Sequence, residues 1–140
     1  MPRVEADFQD RKRIVFSARG RSSVNVRESL EDGPIGYSST ELLLIALANC
    51  QLGTLLGHEL LKDANVVSAT AALEAGMAPD PPRVATVDVD VKLVVTDSSI
   101  LAHHAELEAA TCGCPMCNSV NSAITVRLAI EVASPVAALA

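Results

Sequence analysis

One stretch limits what this chain can become. Ser38 to Lys62, SSTELLLIALANCQLGTLLGHELLK, has no charged residue between Glu41 and His58 and carries Cys50 near its middle. Ser38 and Glu41 match the S-x-x-E capping box, in which each residue satisfies an N–H group left open at a helix start. Leu, Ala and Ile, good to fair helix formers, then dominate. The predicted helix runs to about Lys62, where a basic side chain suits the negative end of the dipole, and Asp63 to Asn65 turns the chain. Residues 42–48 are apolar on every face, which predicts a central helix buried on all sides, by the rest of the chain and by a partner chain.

The chain has 140 residues, enough for a single domain spanning 1–140. With aromatics at 2% and no Trp, the core must come from Val, Leu, Ile and Ala, and burial in a dimer would help. A net charge of −6 and no cluster of Lys and Arg argue against non-specific binding to nucleic acid or to anionic membranes. The N-terminal MPRVEADFQDRKR lacks an apolar segment of the signal-peptide kind, and the run at 42–48 is too short to span a bilayer. The expectation is a soluble cytoplasmic protein. Its four cysteines then point to redox chemistry or a metal more than to a disulfide framework.

Along the chain, residues 1–10 show no clear period and read as a loose start. Arg13–Arg19 and Ser22–Glu28 read as strands joined through a tight turn at Gly20. Ser29–Tyr37 is a loop. Beyond the long helix, Val66–Ala75 reads as a strand and Met77–Pro82 as a proline-rich loop. Arg83–Thr96 is the clearest strand: Val87, Val89, Val91 and Leu93 line one face, and Thr86, Asp88, Asp90 and Lys92 the other. Asp97-Ser98-Ser99 caps a helix over Ile100–Ala110, Cys112-Gly113-Cys114 breaks it, and Pro115 opens a helix to about Ile124. Thr125–Val132 is the last strand. The order β-β-α-β-β-α-α-β, without alternating βαβ units, predicts the α+β class.

Taken alone, Cys50 is a core cysteine, because burial in apolar surroundings makes a thiol inert. Reactivity would need a cation, and Arg19, Arg21 and Arg27 on the N-terminal hairpin are candidates. Cys114 differs: at the N-cap before Pro115, helix N–H groups favour a thiolate. Three readings stay open for Cys114-Pro-Met-Cys117. It is an internal redox pair; or it joins Cys112 and His103 or His104 in a metal site; or Cys114 pairs with Cys50 across the fold. His58 is about 12 Å along the helix from Cys50, too far for a dyad, and caps or ends the helix. His103 and His104 face opposite ways and are expected at the surface.

Glu41–Cys50, ELLLIALANC, followed by Cys114-Pro-Met-Cys-Asn-Ser-Val, resembles the OsmC/Ohr family over nearly the whole chain. The resemblance implies an α+β fold forming an intertwined homodimer around the long helices. It also implies a thiol-dependent peroxidase acting on organic hydroperoxides, with no metal or organic cofactor. Cys50 would be the peroxidatic thiol and Cys114 the resolving one, with a dithiol reductant regenerating the pair. In such peroxidases an Arg from the N-terminal strands activates the thiol, held by a Glu ten residues before it. That position here is Thr40; Glu41 is the adjacent carboxylate, and Arg19 or Arg21 the cation. A non-peroxidatic relative, binding a small apolar or thiol-reactive ligand in the dimer cleft, and a metal-binding cluster at 112–117 are the alternatives.

Overall fold

The computed structural model describes residues 1–8, 13–26 and 36–134. They form two compact units, Met1–Leu42 and Leu43–Ala140.

In the first unit, β1 (Glu5–Phe8), β2 (Arg13–Ala18) and β3 (Arg21–Val26) make an antiparallel sheet in the order β1-β2-β3. The loose start expected for residues 1–10 is therefore a strand over part of its length. All four β1 residues are exposed, so no face had to be apolar and no period was visible. The tight turn is as predicted. Ala18 pairs with Arg21, and both intervening residues have positive φ, 51° at Arg19 and 75° at Gly20, the backbone a twisted two-residue hairpin requires. Asn25, 6% exposed, takes the backbone of Tyr37 as a strand would: its Nδ2 donates to the Tyr37 carbonyl at 2.9 Å and its Oδ1 accepts the Tyr37 N–H at 2.7 Å. Gly36 is needed beside it, since a Cβ there would lie 2.5 Å from Asn25 Oδ1.

The capping box forms as read. Ser38 N–H donates to Glu41 Oε1 at 2.8 Å, and Glu41 N–H donates to Ser38 Oγ at 3.1 Å. From it runs α1 (Ser39–Leu56), shorter than predicted. After Gly57, a 3₁₀ turn covers Glu59–Leu61, and His58 caps it through Nδ1, which accepts the Leu60 N–H at 3.1 Å. By length and composition α1 is apolar enough to cross a membrane (18 residues, mean hydropathy 1.3). Within the single chain, Leu47, Gln51 and Leu55, a line at i, i+4, i+8, are buried, while Ile45 and Leu56 are each 45% exposed. A core lying on one side of a helix covers one stripe of it, however apolar the remainder.

That core belongs to the second sheet, in the order β4-β5-β6: β4 (Val66–Pro79), β5 (Pro82–Val95) and β6 (Ala123–Val132). On β5, Val87, Val89, Val91, Leu93 and Val95 are all at most 2% exposed, and Asp88, Asp90 and Lys92 face out. They share one cluster with Leu47, Leu55, Ile100 and Leu107. β4 pairs antiparallel with β5 through Pro79 and Pro82, so the expected loop at Met77–Pro82 is mostly strand. Proline is tolerated there because the ladder ends at the turn.

β6 lies parallel to β5, with Thr86 opposite Ala123. A parallel neighbour requires a crossover, here a 3₁₀ segment Ser98–His103, α2 (His104–Thr111) and α3 (Pro115–Ser119), so one β-α-β connection exists in an otherwise segregated α+β chain. Asp97 caps the crossover as expected, accepting Ser99 N–H at 2.9 Å and Ser99 Oγ–H at 2.7 Å, which holds its carboxyl below its ordinary value of 3.8. The predicted single helix at 100–110 is split between 3₁₀ and α geometry. α3 ends at Ser119 rather than near Ile124, because Val120 is extended and Ile124 stands in β6 opposite Val87. At the free edge of β6, Glu108 Oε2 accepts the Leu128 N–H at 2.8 Å and His104 Nε2 meets the Leu128 carbonyl, occupying edge groups that would otherwise invite another strand.

Two outcomes test this core and its outer face. Leu47→Ala should cost about 2–5 kcal/mol in denaturant unfolding, because it empties a closed site. On the outer face, Arg127 Nε donates to Asp90 Oδ1 at 2.7 Å across the β5–β6 pair, and this hydrogen bond holds the Asp90 carboxyl below 3.8. A carboxyl with a lowered folded value stabilises above its unfolded value and loses that contribution as pH falls through the folded one. The stability difference between the native chain and Asp90→Asn should therefore be constant above pH ~5 and vanish in acid below the ordinary carboxylate range.

Candidate functional site

The buried line of α1 places one polar side chain, Gln51, inside the apolar core of the second unit, at 0% exposure. Its Nε2 donates to Cys117 Sγ at 3.2 Å, and among the described residues its Oε1 has no hydrogen-bond partner. Such an orphaned acceptor costs about 1–3 kcal/mol, so its position calls for an explanation beyond packing.

The sulfurs come from the break between α2 and α3. Cys112 closes α2 in helical conformation, and Gly113 N–H returns to the Ala110 carbonyl at 3.0 Å. Cys114 then turns extended (φ −74°, ψ 155°) and becomes the N-cap of α3, with Pro115 at the first helical position as the sequence predicted. Its Sγ accepts the Cys117 N–H at 3.4 Å and lies 3.1 Å from Cys117 Sγ. That separation is shorter than the roughly 3.5–4.0 Å at which two carbon atoms rest. Cys114 is fully buried, whereas Cys117, Cys112 and Cys50 are half-buried, and all four are free thiols.

The remaining predicted residues are placed as follows. Cys50 precedes Gln51 on α1 and so flanks the buried line rather than lying on it; among the described residues no hydrogen bond joins its thiol to Cys114 or Cys117. Glu41 serves the capping box. Arg19 and Arg21 are exposed at the β2–β3 turn, and Arg27 lies outside the described residues. Against the metal reading, no group of three or more His, Cys, Asp or Glu is arranged to hold an ion among the described residues. His104 is turned to Leu128, and His103 Nδ1 sits 3.6 Å from Glu106 Oε2. Sequence reading missed Gln51. The available signal was its spacing, four residues from both Leu47 and Leu55.

No family model and no curated protein sequence matches the chain. Solved structures do match, and they define the class. The chain has the OsmC-like α+β fold. An OsmC-like protein of unknown function from Vibrio cholerae superposes with a TM-score of 0.77 at 13% identity, over 92% of this chain and 99% of that one. An osmotic stress induced and detoxification response protein from Psychrobacter arcticus gives 0.74 at 18% identity, over 94% and 96%. An organic hydroperoxide resistance protein OsmC from Legionella pneumophila gives 0.61 at 14%, over 94% and 97%. At such identities the likeness is one of fold.

Burial orders the thiols. Under brief native alkylation Cys117, Cys112 and Cys50 should react before Cys114, which should become labelled only on unfolding; peptide mass spectrometry reads the order.

Proposed function

We propose that this chain is a thiol-dependent reductase of organic hydroperoxides. The observation that supports it most is a fully buried cysteine, Cys114, beside a second thiol and the Cys50-bearing helix, in a fold shared with a protein named for organic hydroperoxide resistance. The Cys50 thiolate attacks the O–O bond of ROOH and takes one oxygen, the alcohol ROH leaves with a proton, and Cys50 becomes a sulfenic acid. The Cys114 thiol then attacks that sulfur, water leaves, and a Cys50–Cys114 disulfide results. An external dithiol returns both to thiols by exchange. Arg19 or Arg21 is the proposed activating cation. A homodimer is part of the reading, since a second copy would cover the apolar outer side of α1, where Ile45 and Leu56 stand exposed. The four free thiols suit the reducing cytoplasm.

A second reading is a non-peroxidatic protein of the same fold that binds a small apolar or thiol-reactive ligand. It is favoured by Thr40 at the position ten residues before Cys50 and by the commitment of Glu41 to the capping box.

Adding a small excess of cumene hydroperoxide to the reduced protein should remove two thiols per chain rapidly, and Cys50→Ser should abolish peroxide consumption. Consumption unchanged in Cys50→Ser removes Cys50 from the reaction, and no consumption by the native chain leaves the binding reading.

A further inference from the structure

Whatever Cys50 does, the sulfur that Cys114 touches is that of Cys117. We propose that Cys114 and Cys117 form a dithiol–disulfide couple of their own, in which Cys117 exchanges with a low-molecular-weight disulfide and Cys114 closes the bond.

The geometry needs little change. The sulfurs stand 3.1 Å apart, so about 1 Å of approach reaches the ~2.05 Å of a disulfide. The three-residue spacing across the start of α3 keeps both side chains on one side, with Cys114 extended at the N-cap and its sulfur already turned to Cys117. Exposure assigns the roles. Cys117 is half-buried, the more exposed of the two, whereas Cys114 is at 0% exposure, so a reagent meets Cys117 first. Gln51 supplies the independent observation: a fully buried amide aimed at Cys117 Sγ, with its second polar atom unpaired among the described residues. A terminal amide can present its N–H or, after a flip, its oxygen, so it can partner Cys117 either as a thiolate or as an S–H.

The reaction balances without any other oxidant. The Cys117 thiolate attacks one sulfur of RSSR; the S–S bond breaks, RS⁻ leaves, and Cys117–S–SR forms. The Cys114 thiol gives up its proton and attacks Cys117 Sγ, and a second RS⁻ leaves. The leaving groups take up the two protons the thiols have lost, so that dithiol plus RSSR gives disulfide plus two RSH. Cys50 takes no part, which separates this couple from peroxide reduction.

The test treats the reduced full-length chain with glutathione disulfide, quenches with an alkylating agent and maps the peptides by mass spectrometry. The native chain and the Cys50→Ser and Cys112→Ser variants should all yield a Cys114–Cys117 bond, at rates within about twofold of one another. Cys114→Ser should stop at a glutathione adduct on Cys117, and Cys117→Ser should leave Cys114 unmodified. A stable Cys117 adduct beside a free Cys114 in the native chain overturns the proposal, as does a Cys50–Cys114 bond in place of Cys114–Cys117. Peroxide consumption is a separate readout, so the two ideas fail separately: losing it in Cys50→Ser while closure persists leaves this couple standing.

Discussion

The inward face of β5 is the constraint on which the second unit depends. Val87, Val89, Val91, Leu93 and Val95 are all nearly or wholly inaccessible, and with no Trp and few aromatics the chain has nothing bulkier to replace them. Each such side chain contributes about 1.5–3 kcal/mol when buried, provided that something covers it. Leu47 and Leu55 of α1 and Leu107 of α2 share that core. β4 and β6 flank β5 on its two edges, one antiparallel and one parallel, so the strand that holds the core also sets both neighbours. The parallel partner in turn demands the crossover in which the paired thiols lie.

The thiol site is a consequence of that packing rather than an addition to it. α3 has five residues, too few for a helix to persist alone, and its shape depends on its ends. Thr111 Oγ1 donates to the Leu107 carbonyl at 2.8 Å inside the core, so α2 reaches the break in a defined position. Cys114 is then driven inward and Cys117 follows on the next turn, where Gln51 meets it. Burial of an amide with one unpaired atom is a cost the core could have avoided with Leu at this position, and its placement against a sulfur makes it chemically informative.

Much of this was legible in the sequence where the cause is local. The capping box at Ser38 and Glu41, the alternation of β5, the turn at Gly20, the Asp97 cap and Pro115 at the start of α3 each depend on neighbours a few residues apart. The α+β class followed from the order of these elements. β1 was hidden because an exposed strand carries no apolar period, and the end of β4 because Met77 and Pro79 face out while the pairing runs on to Pro82. The length of α3 was misread because Val120 and Ile124 are claimed by extended backbone, a long-range demand of the β5 edge.

The sequence by itself determined that this chain has a long apolar helix with a thiol, a β-rich core of small aliphatic side chains, and a cysteine at a proline-led helix start. Those are matters of local propensity and period. Tertiary structure alone decided which side of α1 the rest of the chain covers and which side chain of α1 meets Cys117. A helix apolar on every face has no sequence signal for the side it will bury; only the position of β5 selects Leu47, Gln51 and Leu55 over Ile45 and Leu56. Likewise the sequence left Cys114 open to Cys117 or to Cys50, with the resemblance implying Cys50; a capped turn brings Cys114 and Cys117, three residues apart, together, while Gln51 reaches Cys117 from sixty-six residues away.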